Sequence, residues 1–429
     1  MLFRHVGYAR DFDKALQQRI FKRARMMRDS FATKTGKDAL RNILPLKDKR
    51  NHLLMFKGKS TRTASTFIAS ILNLGGNAIP LGWEASSMAK GEMVPAMVRT
   101  QHAAGFSSLI IRYDDDDKDV IAEAIATCEE WNLDLFIVNA GLGNSEHPTQ
   151  MLLDIFTIQG RLPEKLREER LKIAFAGDLA YSRVIQSLAV GLKEYKPEIS
   201  FISQPKIRIP EWVKKELNDA GVRFYEIHEP LEHVIGSLGA DIYYLTRLQT
   251  NLRKDWGKDT AADEELESQF LFYSGITEKA AKAAPAETLF MHPKPSGPEL
   301  PEWFEKDPRN IAIEQIMNGI PLRMALYYER FAGDDDIEIE LARSIPVTFH
   351  SKDGDVVATT SAEIRSVCSD PTCTAVKLRQ SDGWGNIKPA EHVSLKHTSN
   401  MLCPKHRPTP PDRIKSMSGE EKIINPKPS

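Results

Sequence analysis

Short apolar runs alternate with amphipathic segments over most of the chain, and this alternation predicts its fold. HLLMF at 52–56 and NAIPLG at 77–82 have the apolar character of strands. Between them, TASTFIASILNLGG carries apolar residues at helical spacing and stops at a Gly-Gly pair. SSLIIR at 107–112 and DLFIVNAG at 134–141 predict two further strands around the helix AEAIATCEEW. This order predicts an α/β domain with a mostly parallel sheet.

The same alternation continues after the apolar helix PTQMLLDIFTIQG. Predicted strands KIAFAG, SFISQ, RFYEIHE and ADIYYLTR are separated by the helical segments RVIQSLAVGLKEY, PEWVKKELNDAG and LEHVIGSLG. A late helix, NIAIEQIMNGIPLRMALYYERFA, then precedes DDDIEIELARSIPVTF, which predicts a new, β-rich domain starting near residue 335. The predicted fold class is therefore two doubly wound parallel-sheet α/β domains plus a small β-rich domain.

We predict domains at 1–155, 156–308 and 336–410, and a flexible tail at 411–429. The late helix, 309–333, is expected to pack back onto the first domain. The tail is rich in Pro and Lys, which is typical of segments that bury little apolar surface.

Composition and charge narrow the range of functions that the chain could have. The 429 residues are 41% hydrophobic and 27% charged, with a formal net charge of -1, which is typical of a globular protein. A near-neutral chain gives no electrostatic reason to expect nucleic acid or a membrane surface as a partner. The start, MLFRHVGYARDFDK, has no apolar signal region, and no apolar run approaches the roughly 20 residues that span a bilayer. We expect a cytoplasmic protein.

Three of the four cysteines lie within one C-terminal segment, separate from Cys128. Cys368 and Cys373 form one pair, and Cys403 with His406 forms another after a gap of 29 residues. Two short pairs of soft or borderline ligands indicate a closed, tetrahedral, structural zinc site. The alternative is that the three thiols are incidental. A disulfide framework is disfavoured because it would need more cysteines and an oxidising compartment.

Ser60, Thr61, Arg62 and Thr63 lie between a predicted strand and a predicted helix. Backbone N–H groups at a helix N-terminus favour an anion, and a guanidinium can bind a phosphate through two hydrogen bonds. For this segment alone, a simple Ser/Thr N-cap with a solvated arginine is the favoured interpretation.

The stretch NAGLGNSEHPTQ places His147 and Gln150 at a second strand-to-helix junction, behind a glycine turn. A neutral histidine can donate to a carbonyl, and a glutamine amide can accept from an N–H. Arg112 ends another strand, at the edge where open α/β sheets collect ligands. Taken singly, His147 could cap a helix, Arg112 could be solvated, and the adjacent acidic run from Asp114 to Asp117 indicates an exposed loop.

The second half repeats this arrangement. GDLAYSR supplies Arg183 after one strand, and YLTRLQ supplies Arg247 and Gln249 after another. Two arginines could bind a ligand that carries two carboxylates. GDLAYS lacks the G-x-G-x-x-G spacing of nicotinamide enzymes. The loop MHPKP, which contains Pro293 and Lys294, could present carbonyls to a ligand N–H or could be a structural turn.

Taken in order, STRT, SSMAKGE, NAGLGNSEHPTQMLLDIFTIQ, GDLAYSR, TRLQ, HPKP and NGIPLRMALY resemble the catalytic chain of the aspartate carbamoyltransferases from about residue 50 to 333. The ornithine branch carries an HCLP loop and an S-M-G segment, which are absent here. The resemblance implies transfer of the carbamoyl group from carbamoyl phosphate to L-aspartate in pyrimidine biosynthesis, with no metal or cofactor in the chemistry. It also implies that the first domain binds carbamoyl phosphate and the second binds aspartate.

The resemblance assigns roles to the candidate residues. It implies that Ser60, Arg62 and Thr63 hold the phosphate, and that Thr61, Arg112 and His147 contact the carbamoyl oxygen. Gln150 and the carbonyls around Pro293 and Lys294 would hold the carbamoyl NH₂, while Arg183, Arg247 and Gln249 would bind aspartate. Lys90, with Ser86 or Ser87, is similar to a loop that a neighbouring subunit contributes. A trimer, or a dimer of trimers, with shared sites is therefore implied.

The cysteine segment resembles the zinc domain of the regulatory chains that accompany these enzymes, with His406 in place of a fourth cysteine. No segment resembles their nucleotide-binding domain, so we expect no control by CTP or ATP of that kind.

Several residues beside the ligand positions depart from the family pattern: Ala64, Ile68, Ala180, Ser182, Lys294 and Ser296. They leave open two alternatives, a carbamoyltransferase for another amino acid and a catalytically silent scaffold or regulator. Nucleic-acid binding through the zinc segment is disfavoured because that segment lacks a basic, aromatic face.

Overall fold

The computed structural model describes residues 3–58, 60–115, 117–144, 146–250 and 260–332, and the backbone of 343–350, 356–367, 376–380 and 392–394. The chain forms two compact units. The first comprises residues 1–24, 49–72 and 76–330, and the second comprises residues 25–48, 73–75 and 331–429.

The α-helices are α1 (Lys14–Ser30), α2 (Lys34–Leu40), α3 (Ile43–Leu46), α4 (Thr61–Asn73), α5 (Val94–Ala103), α6 (Val120–Glu130), α7 (Pro148–Arg161), α8 (Pro163–Arg167), α9 (Arg183–Leu192), α10 (Glu211–Asp219), α11 (Leu231–Leu238), α12 (Thr260–Ser274), α13 (Glu278–Ala283) and α14 (Ala312–Phe331). The strands are β1 (Asn51–Lys57), β2 (Asn77–Gly82), β3 (Ser108–Tyr113), β4 (Phe136–Leu142), β5 (Lys172–Ala176), β6 (Glu198–Ile202), β7 (Phe224–Ile227), β8 (Ile242–Leu245), β9 (Leu289–Met291), β10 (Arg343–His350), β11 (Val356–Val367), β12 (Val376–Gln380) and β13 (His392–Ser394). Short 3₁₀ turns lie at Ala9–Asp11, Trp83–Ala85, Ser87–Lys90, Lys193–Tyr195, Pro205–Ile207 and Glu302–Lys306.

The first sheet has the strand order β2-β1-β3-β4, and every pair in it is parallel. All residues of β4 are buried, because a parallel sheet is covered on both faces. Asp119 caps α6 by accepting from the backbone N–H groups of Ile121 and Ala122. The predicted parallel α/β architecture of this half is confirmed.

The second sheet has the order β7-β6-β5-β8-β9 and is also entirely parallel. The four strands predicted for this half are present. In this half the structure adds β9, whose three residues are too few to give a strand pattern, and the helices α8, α12 and α13; earlier in the chain it adds α2, α3 and α5. Both predicted parallel-sheet α/β domains are therefore confirmed.

The late helix α14 lies against the first sheet. The ring of Tyr327 packs edge-on at 5.1 Å from His52 of β1 and at 5.6 Å from Phe136 of β4. The hydroxyl of Ser70 in α4 donates to the carbonyl of Ile320 at 3.1 Å. His52 and Phe136 lie at the starts of their strands, so these contacts fix the C-terminal half of α14 beside the amino ends of β1 and β4.

In the second unit, the four C-terminal strands form an antiparallel sheet in the order β12-β11-β10-β13. The predicted zinc ligands Cys368, Cys373, Cys403 and His406 lie outside the described residues, as does the predicted tail. Within the described part of the chain, no group of three or more His, Cys, Asp or Glu side chains could hold a metal ion. None of the described helices is long and apolar enough to cross a membrane.

Candidate active site

A cavity of about 400 Å³ opens where strands of both parallel sheets end. Its walls come from Arg112 near the end of β3, from the segments that follow β1, β4, β5, β8 and β9, and from one face of α14. Parallel strands collect ligands at their carboxyl ends because loops and helix N-termini converge there. The lining residues are Ser60, Thr61, Arg62, Thr63, Thr66, Arg112, His147, Gln150, Leu153, Tyr181, Ser182, Arg183, Val184, Thr246, Arg247, Gln249, His292, Pro293, Lys294, Pro295, Gln315, Ile316 and Arg323.

Five arginines and one lysine line this cavity. None of the lining residues that the structure describes is Asp or Glu. Burial and the nearby Arg183 lower the pKa of Arg112 to about 10, and burial and Arg247 lower the pKa of Arg62. Like charges held this close repel one another, so a bound polyanion would relieve the repulsion.

Asp114 neutralises part of this charge from behind the cavity wall. Its Oδ1 accepts from Arg183 Nη2 at 2.9 Å and lies 3.1 Å from Arg112 Nε. The side chain is only 16% exposed, so the prediction of an exposed loop is wrong for Asp114. Room for its carboxylate exists because residue 58 is glycine: a Cβ on Gly58 would lie 1.9 Å from Asp114 Oδ2.

His147 lies at the N-terminus of α7, almost fully buried, with its backbone N–H donating to Ser187 Oγ at 2.8 Å. Its side chain makes no capping bond, so the helix-cap alternative fails. Burial lowers the pKa of His147 well below its usual range, and Arg183, Arg112 and Arg323 add to the effect. The ring is therefore neutral at pH 7. Its Nδ1 has no hydrogen-bond partner among the described residues.

The MHPKP loop is held in a strained conformation beside the cavity. Lys294 has φ of 54°, in the left-handed region, and its N–H donates to His292 Nδ1 at 2.8 Å. The Lys294 ammonium is engaged by Ser296 Oγ at 3.0 Å and by the Glu305 carboxylate. The two departures at 294 and 296 thus pair with each other and with Glu305.

On the second-sheet side, Arg183 begins α9, and its Nη1 donates to the carbonyl of Gly143 at 2.8 Å. Arg247 and Gln249 follow β8. The backbone N–H of Gln249 donates to the fully buried Asp178 at 3.0 Å, and Arg247 Nη1 donates to the carbonyl of Leu248 at 3.0 Å. Three predicted ligand side chains therefore converge on the cavity from this half.

The other predicted residues divide into two groups. Ser60, Thr61, Arg62, Thr63, Arg112, Gln150, Pro293 and Lys294 all line the cavity. Ser86, Ser87 and Lys90 do not. Ser86 precedes the 3₁₀ turn Ser87–Lys90, in which Lys90 is exposed and Ser87 donates to Glu92. A single chain thus brings together twelve of the predicted ligands but not these three.

Sequence reasoning missed Arg323, which lies in α14 and is 2% exposed. Its guanidinium lies 4.8 Å from the ring centroid of Phe67, and its Nη1 donates to the carbonyl of Gly319 at 3.2 Å. A Cβ at Gly319 would lie 2.6 Å from that nitrogen. A single arginine inside the apolar run NGIPLRMALYY was the available signal, because an unpaired charge is rarely buried without a ligand or partner.

Comparisons with known proteins agree with this geometry. Residues 4–160 match the aspartate/ornithine carbamoyltransferase, carbamoyl-P binding domain, and residues 169–329 match the Asp/Orn binding domain of the same family. The aspartate carbamoyltransferase catalytic subunit of Halorubrum lacusprofundi is 32% identical over 292 residues, which are 67% of this chain and 86% of that protein. The catalytic subunit of Methanosarcina mazei is 33% identical over 275 residues, 64% of this chain and 81% of that protein.

Solved structures give the same result. Aspartate transcarbamoylase from Trypanosoma cruzi, in complex with carbamoyl phosphate and aspartate, has a TM-score of 0.64 and 27% identity, covering 76% of this chain and 97% of that one. The catalytic subunit of M. jannaschii aspartate transcarbamoylase has a TM-score of 0.63 and 26% identity, covering 78% of this chain and 100% of that one. The chain belongs to the aspartate/ornithine carbamoyltransferase family.

Proposed function

We propose that this protein transfers the carbamoyl group of carbamoyl phosphate to the amino group of L-aspartate, giving N-carbamoyl-L-aspartate and phosphate. The observation that carries the proposal is a cavity at the carboxyl ends of two parallel sheets, where five arginines, one lysine and no carboxylate line the wall among the residues that the structure describes. Both substrates are polyanions. Relatives named for this activity, and a structure containing both substrates, support the assignment.

The carbamoyl phosphate half of the site is proposed to follow β1, β3 and β4. Thr61 begins α4, whose N-terminal N–H groups and dipole attract a phosphate, with Ser60, Arg62 and Thr63 as side-chain donors. Arg112 and the neutral imidazole of His147 would polarise the carbamoyl carbonyl. The carbamoyl NH₂ would donate hydrogen bonds to Gln150 and to the carbonyls of Pro293 and Lys294.

The neutral state of His147 supports this role. A neutral imidazole keeps one N–H donor for a developing oxyanion without adding a sixth charge to the arginine cluster. Each well-aimed donor of this kind contributes about 3 to 4 kcal/mol to stabilising a tetrahedral intermediate.

Aspartate is proposed to bind opposite, through Arg183, Arg247 and Gln249. Two guanidinium groups match its two carboxylates, and the Gln249 side chain could aim the amine. The Lys294 ammonium is already bonded to Ser296 and Glu305. An acceptor whose side chain had to bind that ammonium is therefore disfavoured relative to aspartate.

The reaction then needs little beyond positioning and electrostatics. The neutral amine of aspartate attacks the carbamoyl carbon, a tetrahedral oxyanion forms, and the C–O bond to phosphate breaks as the phosphate removes the amine proton. Holding both substrates in line contributes about 7 to 11 kcal/mol.

We further propose that Lys90, with Ser86 or Ser87, completes the site of a neighbouring subunit in a trimer. Their place outside the cavity of their own chain, with Lys90 exposed, supports this assignment.

We also propose a structural Zn²⁺ bound by Cys368, Cys373, Cys403 and His406. The first two cysteines lie in the connection between the antiparallel strands β11 and β12, and the second pair follows β13. Zinc in such small modules contributes roughly 10 to 16 kcal/mol of apparent binding free energy.

The test is phosphate release from carbamoyl phosphate by the purified protein, with L-aspartate and, separately, a panel of other amino acids. We expect turnover with aspartate that falls at least about 100-fold in Arg62→Ala and His147→Ala without a change in folding. Arg247→Ala should raise KM for aspartate most. Turnover only with another amine would reassign the acceptor, and binding without turnover would indicate a silent scaffold.

A further inference from the structure

A fully buried carboxylate lies next to the part of the cavity that is proposed to bind the carbamoyl group. Asp154, on α7, is fully buried and accepts three hydrogen bonds. Its Oδ1 accepts from Gln150 Nε2 at 3.0 Å and from Gln315 Nε2 at 2.8 Å, and its Oδ2 accepts from the Tyr244 hydroxyl at 2.7 Å. The three donors come from α7, α14 and β8.

These bonds fix the orientation of two glutamine amides. Above its pKa the side chain of Asp154 is a carboxylate and only accepts hydrogen bonds, so both amides turn their NH₂ groups toward it. The Oε1 of Gln315 then accepts from the backbone N–H of His292 at 2.9 Å. The Oε1 of Gln150 has no such partner among the described residues, and Gln150 lines the cavity. Its amide therefore offers an acceptor, not a donor, to a ligand.

Burying a carboxylate at this position is energetically unfavourable compared with burying an apolar side chain of similar size, which would need no hydrogen bonds. Burial raises the pKa of Asp154 to about 7 against the opposing effect of its three donors. Arg323 adds a favourable charge interaction from α14. Tight packing alone does not require this arrangement.

We propose that Asp154 is a positioning residue that holds the Gln150 amide with its oxygen toward the carbamoyl NH₂, and so selects carbamoyl phosphate over acyl phosphates that lack an N–H. The inference rests on the proposed function. It assigns Asp154 no contact with substrate, and its effect passes through Gln150.

Asp154→Asn is the first variant. The new amide can still accept from Tyr244 through its oxygen, but its NH₂ faces Gln150 and favours the flipped amide, which presents a donor to the substrate NH₂. We expect kcat/KM for carbamoyl phosphate to fall by about 10- to 100-fold, the range for a lost hydrogen bond with a facing mismatched donor. Inhibition by acetyl phosphate and inorganic phosphate, which have no N–H on the acyl group, should stay the same or become tighter.

Tyr244→Phe is the matched control, because it removes another hydrogen bond to Asp154 and leaves Gln150 in place. It should keep the preference for carbamoyl phosphate over acetyl phosphate. Gln150→Ala should reproduce the selective loss, and adding Asp154→Asn to it should cost no more than about twofold, since the intermediary is already gone. If Asp154→Asn does not fold, Asp154→Ser, which leaves room for a water, replaces it.

The inference is overturned by additive losses in the double variant, or by an equal loss of carbamoyl phosphate and phosphate affinity in Asp154→Asn. A normal preference in that variant also contradicts it, and leaves the proposed function intact. Absence of carbamoyl transfer to aspartate by the wild-type protein would instead refute the proposed function.

Discussion

The ion pairs of Asp114 test whether this carboxylate stabilises the arginines of the cavity by compensating their positive charge. Asp114→Asn keeps the shape of the side chain and removes its charge. The carboxylate accepts from Arg183 at 2.9 Å and from Arg112 Nη2 at 3.3 Å, and the side chains of these arginines are 7% and 12% exposed. The substitution therefore leaves two largely buried guanidinium groups without their shared counter-ion.

The magnitude follows from this burial. Removing one partner of a buried ion pair costs about 3 to 5 kcal/mol, because the remaining charge stays desolvated. Both arginines line an open cavity that water can reach, so we expect about 3 kcal/mol, the lower end of that range. Asp115→Asn is a matched control from the same acidic run. Its carboxylate pairs with Lys57 at 2.5 Å but is 48% exposed, and such a pair contributes at most about 1 kcal/mol.

The assay is urea unfolding of the wild-type protein and both variants, with and without phosphate. We expect Asp114→Asn to lower the free energy of unfolding about threefold more than Asp115→Asn does. Phosphate at about 100 times its Kd adds about 2.7 kcal/mol to a protein that binds it only when folded. Since the bound anion replaces the lost charge, phosphate should stabilise Asp114→Asn more than wild type. Equal stabilities of the two variants would refute the reasoning.

Three further predictions concern other parts of the molecule. Burial raises the pKa of Glu146 from 4.5 to about 7, so the folded state holds a proton that the unfolded state loses, and stability falls as pH rises between these values. Glu146→Gln should therefore be more stable than wild type at pH 8 by up to about 3 kcal/mol in urea unfolding, and the difference should vanish near pH 4; a constant difference would contradict the assignment. Mixing inactive Lys90→Ala and Arg62→Ala proteins should restore part of the activity if sites are shared between subunits, whereas either variant mixed with itself should not. We expect elemental analysis to find zinc in the wild-type protein and in Cys128→Ser but not in Cys368→Ser; no zinc in the wild-type protein would refute the proposed site.

The parts of the site that could be predicted from sequence are those that lie where a strand meets a helix. Arg62, His147 and Arg183 each lie between an apolar run and an amphipathic helix. The hydrophobic periodicity on either side therefore predicts that they lie at the carboxyl edge of a sheet. The parallel architecture follows from the same alternation, because strands joined through helices run in one direction. Segments without such a pattern, such as β9 and α12, were not predicted.

The supporting residues could not be predicted, because their partners are distant along the chain. Asp114 and Arg183 are 69 residues apart, Asp154 and Tyr244 are 90 apart, and Asp154 and Gln315 are 161 apart. Nothing local distinguishes Asp114 from the other aspartates of its run. The glycine that gives it room, Gly58, lies on another strand end. Such pairs become visible only when the sheet brings the strand ends together.

The carboxylates of Asp114 and Asp154 have different effects on the same cationic cavity. Five arginines bind polyanions only if they stay in place when the site is empty, and Asp114 supplies the charge that holds two of them. Their field, however, attracts any phosphate and cannot distinguish a carbamoyl group from an acetyl group. Discrimination requires an oriented neutral acceptor, which Asp154 provides through Gln150. Because Asp114 acts through charge and Asp154 through amide orientation, Asp114→Asn should alter the binding of every anion, whereas Asp154→Asn should weaken only the binding of ligands with a carbamoyl N–H.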